Sequence, residues 1–275
     1  MADGQTLYVC GLVAYDGTDY NGFQSQVGVP TVQDALESGL AACAQMDGRV
    51  VGAGRTDAGV HAAGQVVAVK VVWRHSVASL QRAWNAHLAP SLAIRKLQEA
   101  PLGFHPRFSA TARTYRYTVY DRTPQAHFAR DRHAPLQERF ALFVPQQLDL
   151  QSMQAATEYL IGRHDFAAFG QPPQGENTER HVMAATWEIV ESSLAALQQP
   201  ADRHLVFTIR ADAFLRQMVR NIVGTLLDVG RGRKTPPQVN EVLLSRNRSL
   251  CSPPAPPQGL VLERVEYPSE FRLRL

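Results

Sequence analysis

The periodicity of apolar residues changes along this chain in an order that few folds can accommodate. Leu7 to Tyr15 reads as a buried strand, and Thr31 caps a helix whose Val32, Leu36, Leu40 and Cys43 share one face. Arg49 to Ala53 and Gly64 to Trp73 read as two further strands. Ser76 caps a second helix with Val77, Leu80, Trp84 and Leu88 on its inner face, and Leu92 to Gln98 closes the run as a strand. The order β-α-β-β-α-β then recurs. Ala112 to Tyr120 alternates as a strand, Leu150 to Ile161 is helical, and Val182 to Glu191 and Leu205 to Arg210 pair as strands. Phe214 to Val229 makes a long helix, and Leu260 to Val265 ends the series.

That order is the split βαβ, or ferredoxin-like, unit. The expected fold class is therefore α+β: two ferredoxin-like (βαββαβ) halves, 1–109 and 110–275, in one continuous mixed, mainly antiparallel sheet with helices on one face. With 275 residues, the chain is long for a single core, which also favours two units. A central cleft between halves is the default binding site.

One loop holds an unusual set of residues for its length. Gly52-Ala53-Gly54-Arg55-Thr56-Asp57-Ala58-Gly59-Val60-His61-Ala62 surrounds an Arg-Thr-Asp with glycines, at the end of a predicted strand. Glycine permits close approach of backbone to a ligand, and an arginine two residues away favours the ionised form of Asp57. An ionised carboxylate suits a nucleophile better than a proton donor. Taken alone, the stretch is equally well a glycine-rich turn with a surface ion pair.

The net charge of +3 does not by itself imply a nucleic-acid partner, but the distribution of the positive charge is informative. Lys70, Lys96 and Lys234 are the only lysines, so 25 of the 28 basic residues are arginine, the side chain that forks onto phosphates and stacks on bases. Arginines cluster at Arg107, Arg113, Arg116, Arg122, Arg130 and Arg132, and again at Arg216, Arg220, Arg231 and Arg233, a footprint that suits RNA or DNA. In the strand from Ala112, Tyr115, Tyr117 and Val119 share one face and Arg116 and Tyr120 the other. In the helix expected from Phe214, Arg216 and Arg220 fall four residues apart on the polar face, where like charges repel by roughly 0.2–0.5 kcal/mol.

Other chemistries are excluded. Gly52-x-Gly54 opens like a dinucleotide fingerprint, but Asp57 stands at the sixth position and a strand follows. There is no Gly-Lys-Ser/Thr phosphate loop, and His61, His105, His164 and His181 lack metal-ligand spacing, so no metal is expected. Cys10, Cys43 and Cys251 are odd in number and widely spaced, which argues against a disulfide framework and for a reducing, cytoplasmic setting. No apolar run is long enough to span a bilayer, and no membrane partner is expected. A hydrolase of glycosidic bonds needs a second carboxylate, for which Asp165 is the only motif-borne candidate. A non-catalytic RNA-binding module is the main alternative to an enzyme.

Taken together, these residues resemble one family. Gly54 to Ala62 is similar to the signature of the tRNA pseudouridine synthases of the TruA type. The likeness extends through Tyr15-Asp16-Gly17-Thr18, Gly22-Phe23-Gln24, Thr31-Val32-Gln33, Phe104-His105, Arg107 to Arg113, Tyr115-Arg116-Tyr117, His164-Asp165-Phe166 and Met218 to Gly224, in family order. The pattern is departed from at Phe23, at Pro106 and in the loop from Gln171 to His181. The resemblance implies isomerisation of uridines in the anticodon stem-loop of tRNA, a central RNA-binding cleft, a homodimer, and no cofactor or metal. It implies Asp57 as nucleophile, Tyr115 stacked on the target base and a candidate for proton transfer, and Arg220 paired with Asp57. Arg55, His61, Arg107, Arg113 and Arg216 join Tyr115 as the implied substrate-binding residues.

Overall fold

The structure is a computed structural model in which residues 5–122, 135–172, 175–190, 202–273 and 275 are described. Arg130 and Arg132 lie outside these residues, as does the side chain of Arg122. The described residues form ten strands and divide into two compact units, 1–113 with 261–275, and 114–260.

In the first unit the elements run β1 (Gln5–Tyr15), α1 (Val32–Ala41), β2 (Gln45–Gly52), β3 (His61–Trp73), α2 (Val77–Ala86) and β4 (Leu92–Glu99). Strand β1 lies between β3 and β4, antiparallel to both, and β2 pairs antiparallel with β3. Both helices begin at the expected caps: the side chain of Thr31 accepts from the Asp34 N–H, and that of Ser76 from the Ser79 N–H. Their apolar stripes face the sheet. Trp84 of α2 is fully buried, and its indole N–H donates to the Leu36 carbonyl of α1 at 2.9 Å. Asn85 ties α2 to β4 through two bonds to the Ile94 backbone, at 2.8 and 2.9 Å.

The second unit contains β5 (Ala112–Arg122) from Thr114 onward, α3 (Pro135–Glu138), β6 (Leu142–Val144), α4 (Leu150–Glu158), β7 (Gly162–Asp165), β8 (Glu179–Val190), β9 (Asp202–Ala211), α5 (Met218–Gly230) and α6 (Pro236–Ser245). Its strand order is β5-β9-β8-β7, with β6 beside β5. The last strand, β10 (Leu260–Glu266), joins the first unit from Val261 onward. It runs parallel to β3 and sets Val261 opposite His61 and Leu262 opposite Ala62.

Two expectations of the sequence are corrected here. The long helix begins at Met218 instead of Phe214, because Gln217 sits in the left-handed region at φ 61°, which no continuous α-helix contains. Arg216 consequently precedes the helix. Its N–H donates to the Gln171 carbonyl at 2.9 Å, so Arg216 and Arg220 are not an i,i+4 pair on one helical face.

The second unit also buries an ion pair. Asp121 is completely buried and receives Arg203 in a two-pronged contact, Nε to Oδ1 at 2.9 Å and a terminal nitrogen to Oδ2, while the Leu148 N–H donates to the same carboxylate at 2.7 Å. Arg203 reaches solvent, but removing it would strand the Asp121 carboxylate away from water. Arg203→Ala is expected to destabilise the chain by about 3 kcal/mol, read as a lower midpoint in denaturant unfolding.

Candidate active site

The loop between β2 and β3 is shaped by polar groups that apolar strands would not ordinarily carry. Thr56 is buried, and its hydroxyl meets the Tyr15 hydroxyl of β1 at 2.8 Å. Gln65, fully buried on β3, donates from its side-chain amide to the Gly54 carbonyl at 2.9 Å. Burial pushes the Tyr15 hydroxyl up to about 12, an effect only partly offset by its contacts with Thr56 and Gln65. Tyr15 is therefore neutral at ordinary pH and serves as a fixed polar post under the loop.

A second segment, residues 16–23, presses on the same loop from outside. The Phe23 N–H donates to the Thr56 carbonyl at 3.1 Å and the Gly59 N–H to the Tyr20 carbonyl at 3.2 Å. Gly22 has φ +91°, and a Cβ there would lie 2.7 Å from the Thr56 oxygen; at Gly17 it would lie 2.0 Å from the Val60 oxygen. Only glycine allows backbone this close to backbone. Gly52 has a different use from the ligand approach expected of it, since the ring of Phe23 fills the space a Cβ would take. Asp57, half-buried, stands at the turn so formed, its carbonyl accepting from the Val60 N–H at 3.1 Å.

Arg55 is exposed and is aimed by a chain of amides. Its Nε donates to the Gln24 side-chain oxygen at 3.0 Å, and the Gln24 amide donates to Gln33 at 2.9 Å. Gln33, buried on α1, also accepts from the Ser25 N–H at 2.9 Å and donates to the Val50 carbonyl at 3.0 Å and to Glu37 at 3.1 Å. Sequence reasoning missed Gln24, Gln33, Thr56 and Gln65 as organisers of this site. For Gln33 and Gln65 the available signal was an amide at an inward position of an otherwise apolar helix or strand.

The other site candidates of this unit are His61, Arg113 and Arg107. His61 is 2% exposed, and its Nδ1 accepts from the Gly17 N–H at 3.0 Å. Asp16 Oδ1 lies 3.1 Å from the same nitrogen. The same ring nitrogen thus faces both a backbone N–H and a carboxylate, which ties His61 to the segment at Asp16 and Gly17. Arg113 spends its guanidinium on carbonyls: Ala53 at 3.2 Å, Arg107 at 2.8 Å and Ala110 at 3.4 Å. Arg107 is half-buried, with its guanidinium carbon 5.6 Å from the centre of the Phe108 ring.

In the second unit Tyr115 is 9% exposed on β5 and meets Phe214 edge-on, with ring centres 5.1 Å apart. Arg220, in the first turn of α5, is locked to the proline-rich connection by a reciprocal pair: its Nε donates to the Ala255 carbonyl at 2.8 Å, and the Ala255 N–H donates to its carbonyl at 2.9 Å. Two residues further along β5, Tyr117 is fully buried and its hydroxyl donates to the Pro256 carbonyl at 2.8 Å; burial raises its pKa well above the usual value. Tyr115 is thus the more accessible of the pair. Asp165 pairs with Arg246 at 3.0 Å; burial alone would raise its pKa, but Thr178, the Ala167 N–H and Arg246 hold it below the usual carboxylate range. That engagement leaves it poorly suited to serve as a second catalytic acid. Among the described residues no cluster of His, Cys, Asp or Glu can hold a metal, and no helix is long and apolar enough to cross a membrane.

A family model described as tRNA pseudouridine synthase matches residues 12–109 and 156–268. The chain belongs to the tRNA pseudouridine synthase family. Proteins named tRNA pseudouridine synthase A from Chloroflexus aurantiacus, Bordetella petrii and Colwellia psychrerythraea are similar along most of their length. The first is 44% identical over 94% of this chain and 87% of its own, and the second 39% over 95% and 91%. The third is 36% identical over 95% and 94%. The segments matched to the synthase family include the Asp57 loop and Arg220, whereas Tyr115 falls in the interval between them.

Two outcomes follow from this geometry. Gly22→Ala is expected to push the Thr56 carbonyl aside and misplace Asp57, lowering kcat by about a hundredfold while the protein remains folded by circular dichroism. Tyr15, whose folded-state pKa is raised from 10.0 to about 12, contributes stability that is complete below pH 10 and lost as pH rises through 12. The loss is about 2–3 kcal/mol. Tyr15→Phe should flatten that fall, seen by comparing urea unfolding at neutral and strongly alkaline pH.

Proposed function

We propose that this chain converts uridines in the anticodon stem-loop of tRNA to pseudouridine, with Asp57 as the nucleophile. The observation that carries the reading is the half-buried Asp57 on a loop braced from below by Tyr15 and Gln65 and from outside by Gly17 and Gly22. As a tRNA pseudouridine synthase the enzyme is an isomerase acting on tRNA. The reaction breaks the bond from N1 to the sugar C1′, turns the uracil and joins C5 to C1′; C5 gives up its proton and N1 takes one up, so no atom is gained or lost. Holding the uracil through the turn requires the target nucleotide to leave its stack and enter a fixed pocket. A carboxylate held in place assists by attack on the sugar or the base, or by stabilising charge and taking a proton.

In this reading Tyr115 stacks on the target base and Arg220 is the charge partner of Asp57; both roles come from the family resemblance. The anchoring of each side chain supports them, since a rigid group loses little freedom on binding. Arg55, aimed by Gln24 and exposed, is the best-suited RNA contact of the first unit. Arg216, also exposed, keeps its proposed contact with RNA. His61 and Arg113 are assigned to holding the loop. The reading extends to a homodimer acting in the cytoplasm, which accords with the free thiols of Cys10, Cys43 and Cys251.

Asp57→Asn is expected to bind tRNA and form no pseudouridine under single-turnover conditions, with the product mapped along the anticodon arm. Normal pseudouridine from that variant would overturn the assignment of the nucleophile.

A further inference from the structure

One large apolar side chain of the first unit, that of Phe108, has no use in the core or in the assigned chemistry. Phe108 is 76% exposed, yet it is not a loose side chain. Its ring stacks on His105, with centres 4.3 Å apart and planes 28° from parallel, and the Arg107 guanidinium lies at its rim. His105 is fixed in turn: its Nδ1 accepts from the Arg107 and Phe108 N–H groups at 3.1 and 3.2 Å, and the Ser109 hydroxyl accepts from its own N–H at 3.0 Å. Burial and the adjoining Arg107 depress the His105 pKa, which keeps the ring neutral and in its accepting role. Beneath the turn, Phe104 is buried against Tyr267 and Phe271, and the Tyr267 hydroxyl donates to the Pro106 carbonyl at 2.7 Å.

The turn is also tied to the Asp57 loop. One terminal nitrogen of Arg113 donates both to the Arg107 carbonyl and to the Ala53 carbonyl, so the two segments lie a pair of hydrogen bonds apart. Ala53 is four residues from Asp57, a span of at most ~14 Å of extended chain. A flat ring backed by another ring, open on its outer face and edged by a guanidinium, suits a nucleobase. Stacking on an aromatic supplies affinity without sequence preference, and arginine adds attraction to the base and its phosphate. Because the ring is already held, little entropy is lost when a base settles on it.

We infer that the Phe108–His105–Arg107 turn is a stacking platform for an unpaired base of the bound RNA, adjoining the nucleotide presented to Asp57. The inference rests on the RNA-modifying function proposed above. It is tested on the full chain by measuring the Kd for a tRNA transcript with uridines in its anticodon arm, by filter binding across a range of salt, for the wild type, Phe108→Ala, Phe108→Trp and Arg107→Gln. Phe108→Ala is expected to bind about tenfold more weakly with an unchanged salt slope, because stacking releases no counterions. Phe108→Trp restores binding. Arg107→Gln weakens binding and lowers the slope by about 0.7. Wild-type affinity in Phe108→Ala overturns the inference while leaving the function intact, provided the wild type still forms pseudouridine. A loss of affinity accompanied by a change in sedimentation overturns it as well, since the ring would then hold a second copy of the chain. A wild-type chain that neither binds nor modifies tRNA brings down both readings.

Discussion

The backbone of residues 17–22 lies directly against the backbone of residues 56–60, and most of what is distinctive in the first unit follows from that contact. It brings carbonyls within 2.0 and 2.7 Å of where a side chain would begin at Gly17 and Gly22, so any other residue would force the two loops apart. A loop that carries a reactive carboxylate is normally mobile, because its backbone bonds face water. Here the Thr56, Tyr20 and Asp57 carbonyls and the Thr56 hydroxyl are all engaged, and Asp57 is presented on a rigid turn. Such preorganisation matters for a reaction in which a base must be turned without being lost.

Buried polar groups supply the remaining rigidity, most completely around Gln33. Gln33 is matched at both its oxygen and its nitrogen, and Gln24 passes that order on to the exposed Arg55. Asp121 and Arg203 play the same part in the second unit. A fully satisfied polar network selects one packing over its neighbours, whereas a partly satisfied one is costlier than an apolar core. The arginines illustrate the other side of this rule. Composition made them look like a uniform RNA footprint, but Arg113 and Arg203 are occupied by carbonyls and a carboxylate inside the protein, while Arg55 and Arg216 stay exposed.

Much of the fold was legible from periodicity. The capped helices at Thr31 and Ser76 and the strands from Leu92 and Ala112 start where the pattern says, because a helix cap and an alternating strand are local features. The three- and four-residue strands β6 and β7 were not legible, since so few residues show no period. The start of α5 was misplaced because Phe214 and Leu215 continue the apolar stripe of the helix, while the left-handed turn at Gln217 that interrupts it leaves no mark in composition. The roles of Asp57, Tyr115 and Arg220 come from the family resemblance, and nothing in the motifs disclosed that His61 would be buried beneath Gly17 or that Gln24 would hold Arg55.

The sequence by itself therefore determined the class of fold and the family, because both are written in local pattern and motif. Tertiary structure alone decided which polar side chains are engaged inside the protein and which stay exposed. It also decided that β10, last in the chain, runs beside β3 immediately after the Asp57 loop, and that Phe108 stands exposed on a fixed stack. The physical reason is common to all of these. A side chain's partner is set by whatever distant segment packs against it, and residues as far apart as Tyr15 and Thr56, or Ala53 and Arg113, become neighbours only when the strands between them are in register.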